Sequence, residues 1–384
     1  MALVSACRHF SGYKPCGKNT SCEDSCPQKS IPSTSLLIIH LGAIGAVLRT
    51  TSILKAMKRK FPGSQLTWVT DAPSDQLLRN HPLIDRVLTT KSEDLLSLSA
   101  LEFDAAFMID KSLKAAGVLK QTYAEQVFGF RADARSGAIH PATPAAQELW
   151  CLGLDDHEKF FLNQKAETQL LIEALELGPF QRDEYNLSLT FSEEREAHRR
   201  HNVWRQSHSL VLGINTGCSS VIAYKKLSVE FQRQIIQTIK SELDVSVVLL
   251  GGPEDSERNL QIGEGLPIIQ SSTTSGLRDG LVSVAACDLI LTGDSLGMHM
   301  AISQKKYVIA WFGPTCAQEI DLYDRGEKIL SQASCSPCWK RLCDKPTMCY
   351  DQVSLMEIIE ALKRGFSRCQ QTSLSKQPSW ETCS

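Results

Sequence analysis

The residue types that bind and activate phosphate esters gather in the second half of the chain. In "GINTGCSSVIAYKKLSVEFQRQII" an apolar run ends at Asn215, turns through Thr216-Gly217 and reaches Lys225-Lys226 ahead of an amphipathic helical pattern. A hydroxyl, open backbone amides and a lysine near a helix start can cradle a diphosphate. The alternative is a solvated lysine pair, in a position the helix dipole disfavours for cations. Glu254 follows Gly251-Gly252-Pro253 after another apolar run; a carboxylate there either holds ribose hydroxyls or caps the next helix. In "DLILTGDSLGMH", Asp294 and Ser295 fall at a helix start and His299 about one turn on. Asp294 reads as a ligand or an N-cap, and His299 as a functional or a buried, satisfied histidine.

Two further groups carry chemistry. The turn "LGAIGA" offers Gly42 and Gly45 for close backbone approach, but no titratable side chain. The cysteines cluster twice: Cys335, Cys338, Cys343 and Cys349 in "CSPCWKRLCDKPTMC", and Cys7, Cys16, Cys22 and Cys26 near the start. The first set opens on C-x-x-C at spacings one tetrahedral ion could close; the second is looser and reads equally as metal site or separate thiols. Thiolates suit zinc and iron alike, and four of them leave no open position, so such an ion is structural.

These groups need strand ends to position them. From Leu36, strand-like runs "SLLIIHL", "QLTWVT", "RVLTT" and "AAFMID" alternate with helical patterns. The alternation restarts with "SLVLGINTG", "VSVVLLGG", "PIIQ", "DLILTGD" and "YVIAWFG". This is the pattern of βαβ units, and it predicts an α/β protein of two Rossmann-like, doubly wound domains facing a central cleft at the carboxyl ends of their sheets. The expected division is a Cys-rich extension over 1–34, a first domain over 35–190, a second over 191–350 with the Cys-rich loop, and a helix and tail over 351–384. The segment from "AETQLLIEALEL" to "SEEREAHRRHNVW" reads as the bridge.

With 384 residues and 42% hydrophobic content the chain can build two cores. Its 41 Lys and Arg against 43 Asp and Glu give no bulk electrostatic reason for nucleic-acid binding. The start "MALVSACRHFSGYKPC" lacks the pattern of a secretory signal, and the longest apolar run, about Leu36 to Leu48, is short of the roughly 20 residues of a membrane helix. A cytosolic protein is expected.

The order "LGxxGxxLxTTxxLxxxxxxFP", "INTG…KK", "LLGGPE", "GDSxGMH", "FGPT" and "CSPC", over most of residues 35 to 365, resembles glycosyltransferase family 9, the heptosyltransferases of lipopolysaccharide assembly. The resemblance implies a GT-B fold and inverting transfer of a heptose from a nucleotide sugar, usually ADP-heptose, without a catalytic metal. The acceptor is a hydroxyl, such as one of the lipopolysaccharide inner core or of a protein, and the implied location is the cytosol or the cytosolic face of the inner membrane. It implies that Thr216, Gly217 and Lys225 contact the diphosphate, Glu254 the nucleoside, and Asp294, Ser295 and His299 the sugar and phosphates. Some members of the wider group, those modifying autotransporters, carry a cysteine-bound iron near this end. One position departs: where the family usually has Gly-Asp, with the Asp proposed as general base, this chain has Gly45-Ala46. Alanine cannot accept a proton. Asp110, at the end of "AAFMID" beside Lys111, is the replacement, unless it only caps a helix. The Gly42–Ala46 turn is then an acceptor-side lip. A catalytically weak or inactive sugar-nucleotide sensor, or a scaffold stabilised by a structural metal site, is the alternative of another class; an epimerase is less favoured, since its additional acids find no place.

Overall fold

The computed structural model describes residues 6–10, 12–222 and 224–375. The chain forms two compact units, one from 1–155 with 168–183 and the other from 156–167 with 184–384.

In the first unit, β1 (Ser35–Ile39), β2 (Gln65–Thr70), β3 (Arg86–Thr89), β4 (Glu102–Met108), β5 (Tyr123–Ala132) and β6 (Ile139–Pro141) form one sheet in the order β3-β2-β1-β4-β5-β6. The first five are parallel and β6 is antiparallel to β5. Helices cover both faces, so β1 reads as an unbroken apolar run with Leu36 to Ile39 fully buried. Ile39 pairs with Val69 on one side and Met108 on the other. That register puts His40, Asp71 and Asp110 at one edge, where the strand order reverses between β1 and β4. Ligands of open α/β sheets bind at such a reversal.

The second unit repeats the plan with β7 (Leu210–Asn215), β8 (Val245–Leu250), β9 (Ile269–Gln270), β10 (Leu289–Gly293), β11 (Tyr307–Phe312) and β12 (Gly326–Leu330), all parallel in the order β12-β11-β10-β7-β8-β9. Its reversal lies between β7 and β10. The helix Leu355–Ser375 is built into this unit: Ile358, Ile359, Leu362 and Phe366 complete the core formed by Leu210, Leu289 and Ile309.

The expected bridge is two separate elements. Leu171 and Ile172 of the helix Glu167–Ala174 are core residues of the first unit. The helix Phe191–Arg205 belongs to the second unit, opened by a Thr190–Glu193 capping box and tied down by Arg200 on Asp279. Among the described residues no helix is long and apolar enough to cross a membrane.

Candidate functional site

The carboxyl edge of the second sheet gathers most of the residues singled out above. Asn215, Thr216, Lys225, Lys226, Gly293 and Trp311 line one depression. Lys225 Nζ lies 3.5 Å from Asp294 Oδ2, and both side chains are largely buried. Ser295 is the N-cap residue of the helix Leu296–Ser303, so Asp294 precedes the cap and does not fill it. The Ser295 hydroxyl makes no cap bond; it accepts from Asn215 Nδ2 at 3.0 Å and lies 3.1 Å from Thr292 Oγ1. His299 is buried one turn along that helix, its ring 5.9 Å from Tyr185.

Thr216 is turned inward. Its hydroxyl donates to Asn259 Oδ1 at 2.5 Å, its amide to the Leu250 carbonyl, and its carbonyl accepts from Arg258 Nε at 3.2 Å. The expected hydroxyl of the cradle is thus part of the loop's underpinning. Gly217 rests directly on Asp255: a Cβ there would meet the carboxyl at 2.0 Å. Asp255 is buried, accepts the Gly252 amide at 3.0 Å and pairs with Lys226 at 3.2 Å. Glu254 beside it is exposed, at the rim.

Four structural residues escaped the sequence reading. Asn215 ties the two loops together, bonding Gly217, Thr292 and Ser295, and Gly297 is needed because a Cβ there would strike the Asn215 side chain. Asp255 looked like ordinary capping in "GGPED". Arg258, whose burial lowers its pKa, donates to Thr216 and Leu227 carbonyls beneath the loop. At this edge Lys225 and Lys226 are held by Asp294 and Asp255, with Arg258 beneath the loop and Glu254 exposed at the rim; the formal charges balance, but two ammonium groups stand where an anionic ligand could meet them.

In the first unit Asp110 Oδ2 accepts the Leu41 amide at 2.5 Å, directly below the Gly42–Ala46 turn. Burial, the largest influence, and nearby Asp71 raise its pKa to about 6 against the pull of backbone amides and Lys114. The cap of the helix Leu113–Leu119 is Ser112, which accepts from the Ala115 amide, so Asp110 has no capping duty. A Cβ on Gly42 would meet nothing within 4 Å, and the helix Ile44–Thr50, with Gly45 and Ala46 in its first turn, has no acid there. Lys111 is held away, donating to the Leu149 carbonyl at 2.7 Å and lying over the Phe130 ring.

Among the described residues no three His, Cys, Asp or Glu side chains stand together as a metal ion requires. Cys349 feels the charges of Cys338, Cys343 and Cys335, but it is buried against Gly313 while Cys335 is exposed. Cys7, Cys16, Cys22 and Cys26 border one hollow without converging either, Cys7 accepting the Ser30 amide and Cys26 the Asn19 side chain.

The two doubly wound units have the GT-B fold, the architecture of the solved heptosyltransferases this chain superposes on. The model of glycosyltransferase family 9 (heptosyltransferase) matches residues 96–348, and the chain belongs to that family. Lipopolysaccharide heptosyltransferase 1 of Campylobacter coli is 20% identical over 355 residues, 86% of this chain and 98% of that one. Among solved structures, a family 9 glycosyl transferase from Veillonella parvula superposes with a TM-score of 0.64 at 16% identity, covering 88% of this chain and 98% of its own. The E. coli ADP-heptose lipopolysaccharide heptosyltransferase II gives 0.62 at 15%, covering 87% and 99%.

Proposed function

We propose that the protein transfers a heptose or closely related sugar from ADP-heptose to a hydroxyl of a saccharide acceptor such as the lipopolysaccharide inner core. The observation that carries the reading is the cationic loop of the second unit: Lys225 and the backbone at Gly217 stand at the β7/β10 reversal. The acceptor oxygen bonds to the anomeric carbon, its proton passes to Asp110, and the bond to the departing diphosphate breaks with its electron pair. Lys225 and the loop amides receive the growing negative charge, usually the larger catalytic contribution. Asp110, poised near pH 6, supplies base assistance typically worth ~10²–10⁴-fold. Glu254 faces the nucleoside, and Asp294, Ser295 and His299 order the sugar side.

A sensor that binds the donor without transferring it is favoured by one observation, the missing acid in the first turn of Ile44–Thr50. The test is incubation with ADP-heptose, with and without heptose-deficient lipopolysaccharide. Acceptor-dependent ADP release supports transfer; tight binding without release supports the sensor.

A further inference from the structure

The two oxygens of Asp110 meet different surroundings. Oδ2 is fixed by the Leu41 amide, the Gly42 amide also acts on the carboxylate, and Oδ1 lies 3.9 Å from Nε2 of His40, beyond hydrogen-bond distance. His40 is the residue just past β1 and is only 5% exposed. Its backbone is held on β2, the amide donating to the Val69 carbonyl at 3.1 Å and the carbonyl accepting from Trp68 Nε1 at 3.4 Å. Its Nδ1 is buried and has no hydrogen-bond partner. An Nδ1–H tautomer would therefore bury an unmet donor, while the Nε2–H tautomer aims the ring's single proton at a carboxylate.

The charged groups around this pair come from each neighbouring element. Arg49 approaches from the helix Ile44–Thr50; burial and its charge keep the imidazole neutral, pushing its pKa down to about 3. Asp71 stands at the end of β2 and is paired with Lys114 of the helix Leu113–Leu119 at 2.6 Å. An imidazolium at this position would pull the Asp110 pKa down and weaken it as a base. A neutral imidazole can orient the carboxylate and leave its charge intact.

We propose that His40 is a positioning residue for Asp110: the 3.9 Å approach of its Nε2 to Oδ1, longer than a hydrogen bond, closes when the acceptor binds, so that the neutral imidazole engages one lone pair of Oδ1 and the other is aimed at the acceptor hydroxyl. The inference rests on Asp110 being the base. It explains why a histidine sits in an otherwise apolar strand end, a place where its polar ring costs stability unless paired.

The test uses the full-length protein with ADP-heptose and heptose-deficient lipopolysaccharide, comparing His40→Phe, His40→Asn, His40→Gln and Asp110→Asn by turnover, donor KM, pH profile and melting temperature. Loss of one hydrogen bond to a charged group predicts about a tenfold fall in kcat for His40→Phe, with donor KM unchanged. It also predicts an upward move of the acidic limb by about one pH unit, because the carboxylate loses a donor. Gln, whose amide reaches the Nε2 position, restores both. Asn, whose amide stops short at the Nδ1 position, does not, and it decides the matter if the Phe variant fails to fold. If folded His40→Phe or His40→Asn keeps the wild-type limb and turnover while Asp110→Asn loses them, the His40 inference is overturned and the base assignment stands. If Asp110→Asn itself keeps the limb, the base assignment falls.

Discussion

Gly217→Ala should damage the second unit far more than its single added carbon suggests. The new Cβ would lie 2.0 Å from the Asp255 carboxyl, and ordinary contact begins near 3.4 Å, so loop or carboxylate must give by about 1.4 Å (3.4 − 2.0). Asp255 cannot swing away cheaply, being buried and held by the Gly252 amide and Lys226. Breaking a charged hydrogen bond and leaving a buried carboxylate poorly paired costs roughly 2–3 kcal/mol. For a unit of this size that lowers the melting temperature by roughly 5–10 °C. If the loop moves instead, displacement by about 1 Å costs on the order of 10²-fold in rate. Differential scanning calorimetry and ADP-heptose titration read the two outcomes. Gly252→Ala is the control: a Cβ there meets nothing within 4 Å and φ is −97°, so it should be neutral. A Gly217→Ala protein with wild-type melting temperature, donor affinity and turnover would refute the packing of this loop on Asp255.

Other outcomes follow from the same geometry. Lys225→Ala should weaken ADP-heptose binding at least about tenfold by calorimetry, since a charged contact to phosphate is lost; unchanged affinity removes Lys225 from the site. Asp110 has a folded-state pKa raised from 3.8 to about 6, so its contribution to stability is fully present below pH 3.8 and is lost as pH rises through 6. Asp110→Asn should therefore raise stability above pH 6 by up to about 3 kcal/mol while lowering turnover; a variant less stable than wild type at pH 8 contradicts the buried-carboxylate account. Ala46→Asp, which returns an acid to the first turn of Ile44–Thr50, should restore part of the turnover of Asp110→Asn; no rescue would separate that turn from the chemistry.

Strands that are buried on both faces were the easiest part to read. β1, β7, β8, β10 and β11 are almost wholly apolar because helices cover both sides; the ends of β7, β8 and β10 locate the loops that carry Thr216, Glu254 and Asp294, and the apolar second half of β4 locates Asp110. β5 alternates exposed polar residues through its first half, β6 is three half-buried residues, and β12 mixes Gly, Glu and Lys with two apolar positions, so none of them carries the apolar run by which strands were recognised. The excursion of 156–167 into the second unit has no local signature, since membership in a unit is decided by distant contacts. The same limit hid Asn215, Asp255 and Arg258, whose importance lies in which backbone atoms they reach. It also hid the buried partner of the Thr216 hydroxyl, Asn259, which lies 43 positions away.

The central claim is sugar transfer from a nucleotide donor with Asp110 as base. The most direct measurement is acceptor-dependent release of ADP from ADP-heptose across pH 5 to 8, on wild type and Asp110→Asn side by side, with mass analysis of the heptose-deficient lipopolysaccharide acceptor. The account predicts an acceptor heavier by one heptose, turnover rising through a limb near pH 6 in the wild type, and a fall of roughly 10²–10⁴-fold with loss of that limb in the variant. An unmodified acceptor despite tight donor binding, or a variant that transfers heptose at the wild-type rate and pH dependence, would contradict it.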